Sequence, residues 1–150
     1  MLVVGALAGF LAAVVMNLPM GWLADGYAPA YVAAAAVRGR SPETVARRDA
    51  VVVHHAAGVL AGLVHAVLTW AVLSITGTAD ATAGVGPFAN LAVAAVLVVC
   101  LYALFAYLVF PRAGGPLRER GDAIRRQWLL SAFVYGFALS ALVPGLLAVA

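Results

Sequence analysis

The sequence predicts an all-α fold, a four-helix bundle integral to a membrane, on three observations. Hydrophobic residues make up 65% of the 150-residue chain and charged residues 10%, against about 45–50% and 25% in soluble globular domains. A soluble domain of this length has no means of hiding so much apolar surface. The apolar residues also fall into four long stretches, each with the roughly 20 residues needed to span about 30 Å of hydrocarbon. Finally, all nine basic residues are arginines, confined to two of the gaps between those stretches. Arg38, Arg40, Arg47 and Arg48 lie in the first gap, and Arg112, Arg118, Arg120, Arg125 and Arg126 in the third. By the positive-inside rule both arginine-rich loops are cytoplasmic and both termini lie outside.

The first helix is expected over about 1–24. Its apolar run is too long for the core of a signal peptide and no basic region precedes it, so it reads as a retained span. It ends at Asp25-Gly26 with Pro29 beyond, a common helix stop. An alanine-rich piece over about 29–38, closed by Gly39, predicts a short interfacial helix. Ser41-Pro42-Glu43 has the form of a cap, a first-turn proline and a first-turn acid. The second long helix is therefore expected over 42–75, starting in the cytoplasm. A short Gly/Thr/Ala-rich external loop follows over Thr76–Gly86, and the third helix is expected over 87–110, up to Phe110-Pro111. Gly114-Gly115-Pro116 makes a turn, and Asp122 caps a fourth helix over 122–149. The chain is then one membrane domain, with Trp22, Tyr27, Tyr31, Tyr107 and Trp128 in a belt at the cytoplasmic face and Trp70 at the other.

Helices in lipid associate through close backbone approach or interhelical hydrogen bonds, because lipid gives apolar faces no reason to leave it. Gly5 and Gly9, Gly58 and Gly62, and Gly136 and Ser140 each stand four apart. The first two pairs predict a shared seam. Pro19 and Pro144 remove backbone bonds within the first and fourth helices, and Ser140 stands four before Pro144.

Chemical potential is concentrated on the second long helix. At about 100° per residue, His54, Gly58, Gly62 and His65 share a narrow stripe facing the bundle, which Arg47 continues toward the cytoplasm. The stripe is either packing or a polar pathway, with His65 near mid-membrane, where an ionisable side chain is expensive unless paired or wetted. Haem ligation is a third reading. His54 and His65 are about 16 Å apart along one helix, so they cannot hold the same iron; bis-histidine ligation needs an oligomer or a weaker ligand such as Met16, Met20 or Tyr135. His55 is turned about 100° from His54, toward headgroup level.

A second cluster is expected in the inner half, where Asn17, Tyr102, Ser131 and Tyr135 converge near His54 as a small polar pocket or as bonds that set helix rotation. Arg47, Arg48, Arg125 and Arg126 flank the inner mouths of the second and fourth helices, placed to contact lipid phosphate. All six acids, Asp25, Glu43, Asp49, Asp80, Glu119 and Asp122, lie in loops or at helix ends. They form no paired intramembrane carboxylates, and no nucleophile-histidine-acid set or phosphate-cradling glycine loop can be assembled. Cys100 is alone, which excludes an intramolecular disulfide or a zinc cluster. The arginines are accounted for by topology and anionic headgroups, so nucleic acid is not an expected partner.

Gly9, Val14-Val15-Met16, Gly26-Tyr27-Ala28-Pro29, Gly39, Pro42, His54, Gly58 and Gly62 together resemble small uncharacterised four-helix membrane proteins of halophilic archaea. The resemblance covers the first half of the chain. It implies a fold and a membrane location and assigns no activity. The sequence thus points to a non-enzymatic multi-pass protein of the cell membrane, without a cofactor, packing with itself or with a larger complex as an accessory subunit. The alternatives are a small transporter or channel subunit using the His54/His65 stripe, and a haem-bearing electron carrier in an oligomer. Its expected partners are membrane lipids, anionic ones included, and a second copy or another membrane subunit.

Overall fold

The computed structural model describes residues 1–76, 86–113 and 116–149. The expected external loop is therefore largely outside the described residues, as is the Gly114-Gly115 pair of the expected turn. Among the described residues the chain is helical without strands: α1 (Leu2–Trp22), α2 (Ala28–Arg38), α3 (Arg47–Thr76), α4 (Pro87–Ala103), α5 (Pro116–Glu119) and α6 (Gly121–Leu147). Four spans, with α4 extended to Arg112, are long and apolar enough to cross a membrane, at mean hydropathies of 1.8 to 2.7. α1 packs on α3 and α6, and α4 on α6 and α3. The four long helices thus close a ring of antiparallel neighbours with up-down-up-down connectivity. The arginines gather at one end of this ring, with α2 lying across it against α3 and the end of α4.

The tightest joint is between α1 and α3. A Cβ on Gly9 would stand 2.8 Å from Gly62 Cα, and one on Gly62 would stand 2.7 Å from Gly9 Cα and collide with the Gly5 carbonyl oxygen. A Cβ on Gly58 would meet Ala13 Cβ at 2.5 Å. Only glycine permits this backbone-on-backbone approach. Ala8, Ala12, Ala13 and Ala61 continue the small-residue surface and are buried with Met16 and Leu139 in the main core. Gly136 belongs to a different joint, α6 on α4, where an added Cβ would strike Val98.

Three local expectations are corrected. The second long helix does not begin at Pro42. Pro42–Thr44 forms a single 3-10 turn, in which Thr44 Oγ1 donates to the Ser41 carbonyl at 2.9 Å, and Val45 is extended. Val45 is buried in the main core; turning it inward interrupts the helix, which restarts at Arg47. Asp122 does not cap α6, which begins at Gly121 after Arg120 without a side-chain cap. Gly121 lies beneath the Phe110 ring, 3.0 Å from where a Cβ would stand, and Asp122 points outward toward Arg125. Finally, α4 does not stay α-helical to Phe110: Leu104–Val109 winds as a π-helix and Phe110–Arg112 as a 3-10 turn.

The π segment has a packing reason. With i→i+5 bonding, residues five apart share a face, which they do not in an α-helix. Phe105 and Phe110 are so related, and their ring centroids are 5.7 Å apart. Phe105 also meets Trp128 of α6 at 5.0 Å. Together with Val32 of α2, Ala113 and Ile124 they form a second core at the arginine end.

If the seam carries the bundle, Gly62→Ala will lower stability in detergent by roughly 1–3 kcal/mol, the usual cost of overpacking. Gly21→Ala, where nothing lies within 4 Å of the new Cβ, will be neutral or slightly stabilising because alanine is the better helix former. Thermal unfolding of the two purified variants checks this; equal losses would remove the seam from its central role.

Candidate functional site

The close approach of α1 and α3 determines what the α3 stripe can do. His54, Gly58, Gly62 and His65 are all buried. Arg47, the first residue of α3, is exposed; the helix begins there outside the cover of its neighbours, so the buried stripe stops short of it. His54 Nε2 donates to the Ala13 carbonyl at 3.1 Å, across the seam. One turn further along α3, the Gly58 carbonyl accepts from Tyr135 Oη of α6 at 2.8 Å. Between them lies a cavity of about 50 Å³, lined by Met16, His54, Leu101, Trp128 and Tyr135 among others. That is room for a few water molecules and not for a haem.

His65 is fully buried. Its Nε2 donates to the Asn90 carbonyl of α4 at 3.3 Å, and the Asn90 side chain donates from Nδ2 to the Ser140 carbonyl of α6 at 2.7 Å. His65 and Asn90 therefore tie three helices together in one layer. His65 Nδ1, Thr69 Oγ1 and Asn90 Oδ1 are buried there without a hydrogen-bond partner among the described residues. Asn90 and Thr69 carry no motif signal; a lone asparagine in the first turn of an apolar span was the cue available.

The inner cluster expected around His54 is only partly assembled. Tyr135 reaches the His54 cavity, but Asn17 serves His55 instead. Tyr27 Oη donates to Asn17 Oδ1 at 3.2 Å, Asn17 Nδ2 donates to His55 Nε2 at 3.2 Å, and His55 Nδ1 donates to the Val51 carbonyl at 2.8 Å. The reason is rotational: Asn17 stands one turn beyond Ala13 and about 40° round the helix, which carries it past His54. His55, half-buried with its ring tilted against Phe10 at 5.5 Å between centroids, is thus a bonded member of the α1–α3 joint. Ser131 is buried, its hydroxyl without a hydrogen-bond partner among the described residues, and Tyr102 is half-buried, edge-on to Tyr107 with centroids 6.3 Å apart.

The arginines expected as flanking pairs lie at the start of α3 and in the opening turns of α6, and most of them have partners within the protein. Arg125 pairs with Asp122 at 3.5 Å and lies 5.4 Å over the Phe110 ring. Arg126 Nε donates to the Asp122 carbonyl, and Arg48 lies 3.8 Å from the Asp49 carboxylate, which also holds Arg38 at 3.4 Å. Of the four residues expected at lipid phosphate, only Arg47 has no partner among the described residues. The shortest ion pair among the described residues joins Arg120 to the buried Asp25 at 2.8 Å, whose backbone N–H donates to Gln127 Oε1 at 2.9 Å. Those two contacts fasten the end of α1 to the start of α6. No set of three or more His, Cys, Asp or Glu side chains among the described residues is placed to hold a metal ion. No protein-family model, curated protein or solved structure matches the chain.

Each interhelical bond carries a measurable cost. Tyr135→Phe removes the donor to Gly58 while keeping the ring, and will lower stability by roughly 0.6–2 kcal/mol, the range for intramembrane hydrogen bonds. His65→Gln, whose amide can still reach the Asn90 carbonyl, will stay near wild type, while His65→Leu will lose about 1 kcal/mol. Unfolding midpoints in one detergent rank the three; a His65→Leu variant as stable as His65→Gln would show that the bond contributes nothing.

Proposed function

We propose that the chain is a multi-pass protein of the cell membrane. It crosses the bilayer four times, with the arginine-bearing end in the cytoplasm and both termini on the other side. It acts without catalysis, as a structural subunit that packs with copies of itself or within a larger membrane complex. The outer faces of the long helices support the membrane location. Val3, Ile75, Phe88 and Phe137 are each more than three-quarters exposed, and apolar patches of that extent need lipid or protein cover. The asymmetry of the arginines supports the orientation.

The observation that carries the structural reading is the use made of the inward polar groups. His54, His65, Tyr135 and Asn90 each donate to a backbone carbonyl of another helix. The stripe that a solute would follow along α3 is filled at Gly58 and Gly62 by the backbone of α1. A transport reading keeps one supporting observation, the unpartnered His65, Thr69 and Asn90 atoms. Purification in mild detergent separates the readings. A structural subunit is expected to show no Soret band, an assembly mass above that of the 15.4 kDa chain, and no ion or proton flux in liposomes. A pH-dependent flux lost in both His65→Gln and His65→Leu would instead establish the pathway.

Topology is checked in a Cys100→Ala background. Cysteines at Thr76 and Val149 are expected to react with an impermeant reagent in intact cells, and a cysteine at Ala46 only after permeabilisation. The opposite pattern would invert the orientation, and a split result between Thr76 and Val149 would break the four-span count.

A further inference from the structure

At the arginine end, α2 and the end of α4 border a groove of about 150 Å³ whose charged lining residues, among the described residues, are Arg40 and Arg112. The rest of its wall is apolar, formed by side chains such as Val32, Ala35, Pro42 and Val109. The two arginines come from different arginine-rich loops, and both line this groove. Gly39, in the left-handed region at φ 62°, ends α2, and the Arg40 N–H returns to the Ala35 carbonyl at 3.0 Å. That closure turns the backbone at Arg40, which lines the groove. On the other side, the π segment and the 3-10 turn after it carry Arg112 to the same groove; its Nη1 donates to the Leu108 carbonyl.

Neither side chain is neutralised. Arg40 has no carboxylate partner among the described residues, whereas Asp25, Asp49 and Asp122 are each committed to other arginines. Arg112 spends one donor on Leu108 and retains the others of its five. Two unpaired guanidinium groups against an apolar wall complement a phosphate diester that carries hydrocarbon. Leu104 and Leu108, both more than half exposed on the π segment that precedes Arg112, offer the hydrocarbon a continuation along the outside of α4.

The geometry points to a binding site for the headgroup phosphate of an anionic phospholipid, held between Arg40 and Arg112 in the groove between α2 and the end of α4. The site rests on the membrane reading above. It differs from a diffuse basic surface, because Arg38 and Arg118 belong to the same loops and do not line it.

The test uses the full chain in mild detergent, with lipid retention read by native mass spectrometry and stability by thermal unfolding, with phosphatidylglycerol compared against phosphatidylcholine. Wild type is expected to retain phosphatidylglycerol preferentially and to be stabilised by it. Arg40→Gln with Arg112→Gln should retain on the order of tenfold less, given the worth of two arginines at a membrane surface. Arg38→Gln with Arg118→Gln should retain it as wild type does. Equal losses in the two pairs, or none in the first, would overturn the site. If the first pair does not fold, each single variant carries the same expectation, and wild-type retention in either one overturns it. Inorganic phosphate that stabilises lipid-free protein as much as phosphatidylglycerol does would assign the groove to a soluble anion and overturn the lipid. Recovery of wild type in the soluble fraction of cells would sink the membrane reading itself; unchanged lipid preference in variants that stay membrane-bound would sink only the groove.

Discussion

The contact of α1 with α3, backbone on backbone, is the constraint from which the other features follow. In the bilayer proposed above there would be no hydrophobic gain from bringing two apolar helices together, so cohesion would come from dispersion at short range and from hydrogen bonds across the joint. Gly5 and Gly9 against Gly58 and Gly62 supply the short range. The same approach brings the Ala13 carbonyl within reach of His54 and lets Asn17 meet His55. With a larger residue at any of the four positions the helices would stand further apart, and those histidines would face a gap.

The hydrogen bonds do a second thing that the glycines cannot, which is to fix rotation and register. A seam of small residues is smooth and tolerates sliding. Donors aimed at single carbonyls do not. His54 on Ala13 sets α3 against α1, Tyr135 on Gly58 sets α6 against α3, and the His65–Asn90–Ser140 layer sets α3, α4 and α6 together nearer the opposite end. Bonds at separated depths along a bundle leave each helix one orientation, which gives the polar side chains inside an otherwise apolar ring a structural reason to be there.

Much of this was legible in the sequence because it depends on spacings within one element. The four apolar runs, the four-residue glycine spacing and the burial of His54, Gly58, Gly62 and His65 on one face all follow from the helical repeat. What depended on neighbouring elements was not legible. Ser41-Pro42-Glu43 has every mark of a helix start, yet the burial of Val45 interrupts the helix. Asn17 stands one turn beyond Ala13 and about 40° round α1, which brings it to His55 and not to His54. The arginine partners could not be assigned because Asp25 meets Arg120 across 95 residues of chain, and Asn90 gave no pattern because a single asparagine has no period.

The π segment shows most clearly how a tertiary demand overrides a local one. The α-helical repeat would separate Phe105 from Phe110 by about 140°, putting one ring into the bundle and the other outside it. Winding Leu104–Val109 with one more residue per bonded turn brings both rings to the inner face, against Trp128 and Ile124, and leaves Tyr107 outside. The second core so formed is also what α2 rests on, through Val32. An 11-residue helix is marginal in isolation, so α2 holds its place across the arginine end because Val32 enters one core while Ala30, Ala34 and Ala35 enter the other. The two ends of the bundle therefore differ in construction. One relies on the polar layer of His65 and Asn90, and the other is closed by a short helix whose seating depends on a change of helical pitch in its neighbour.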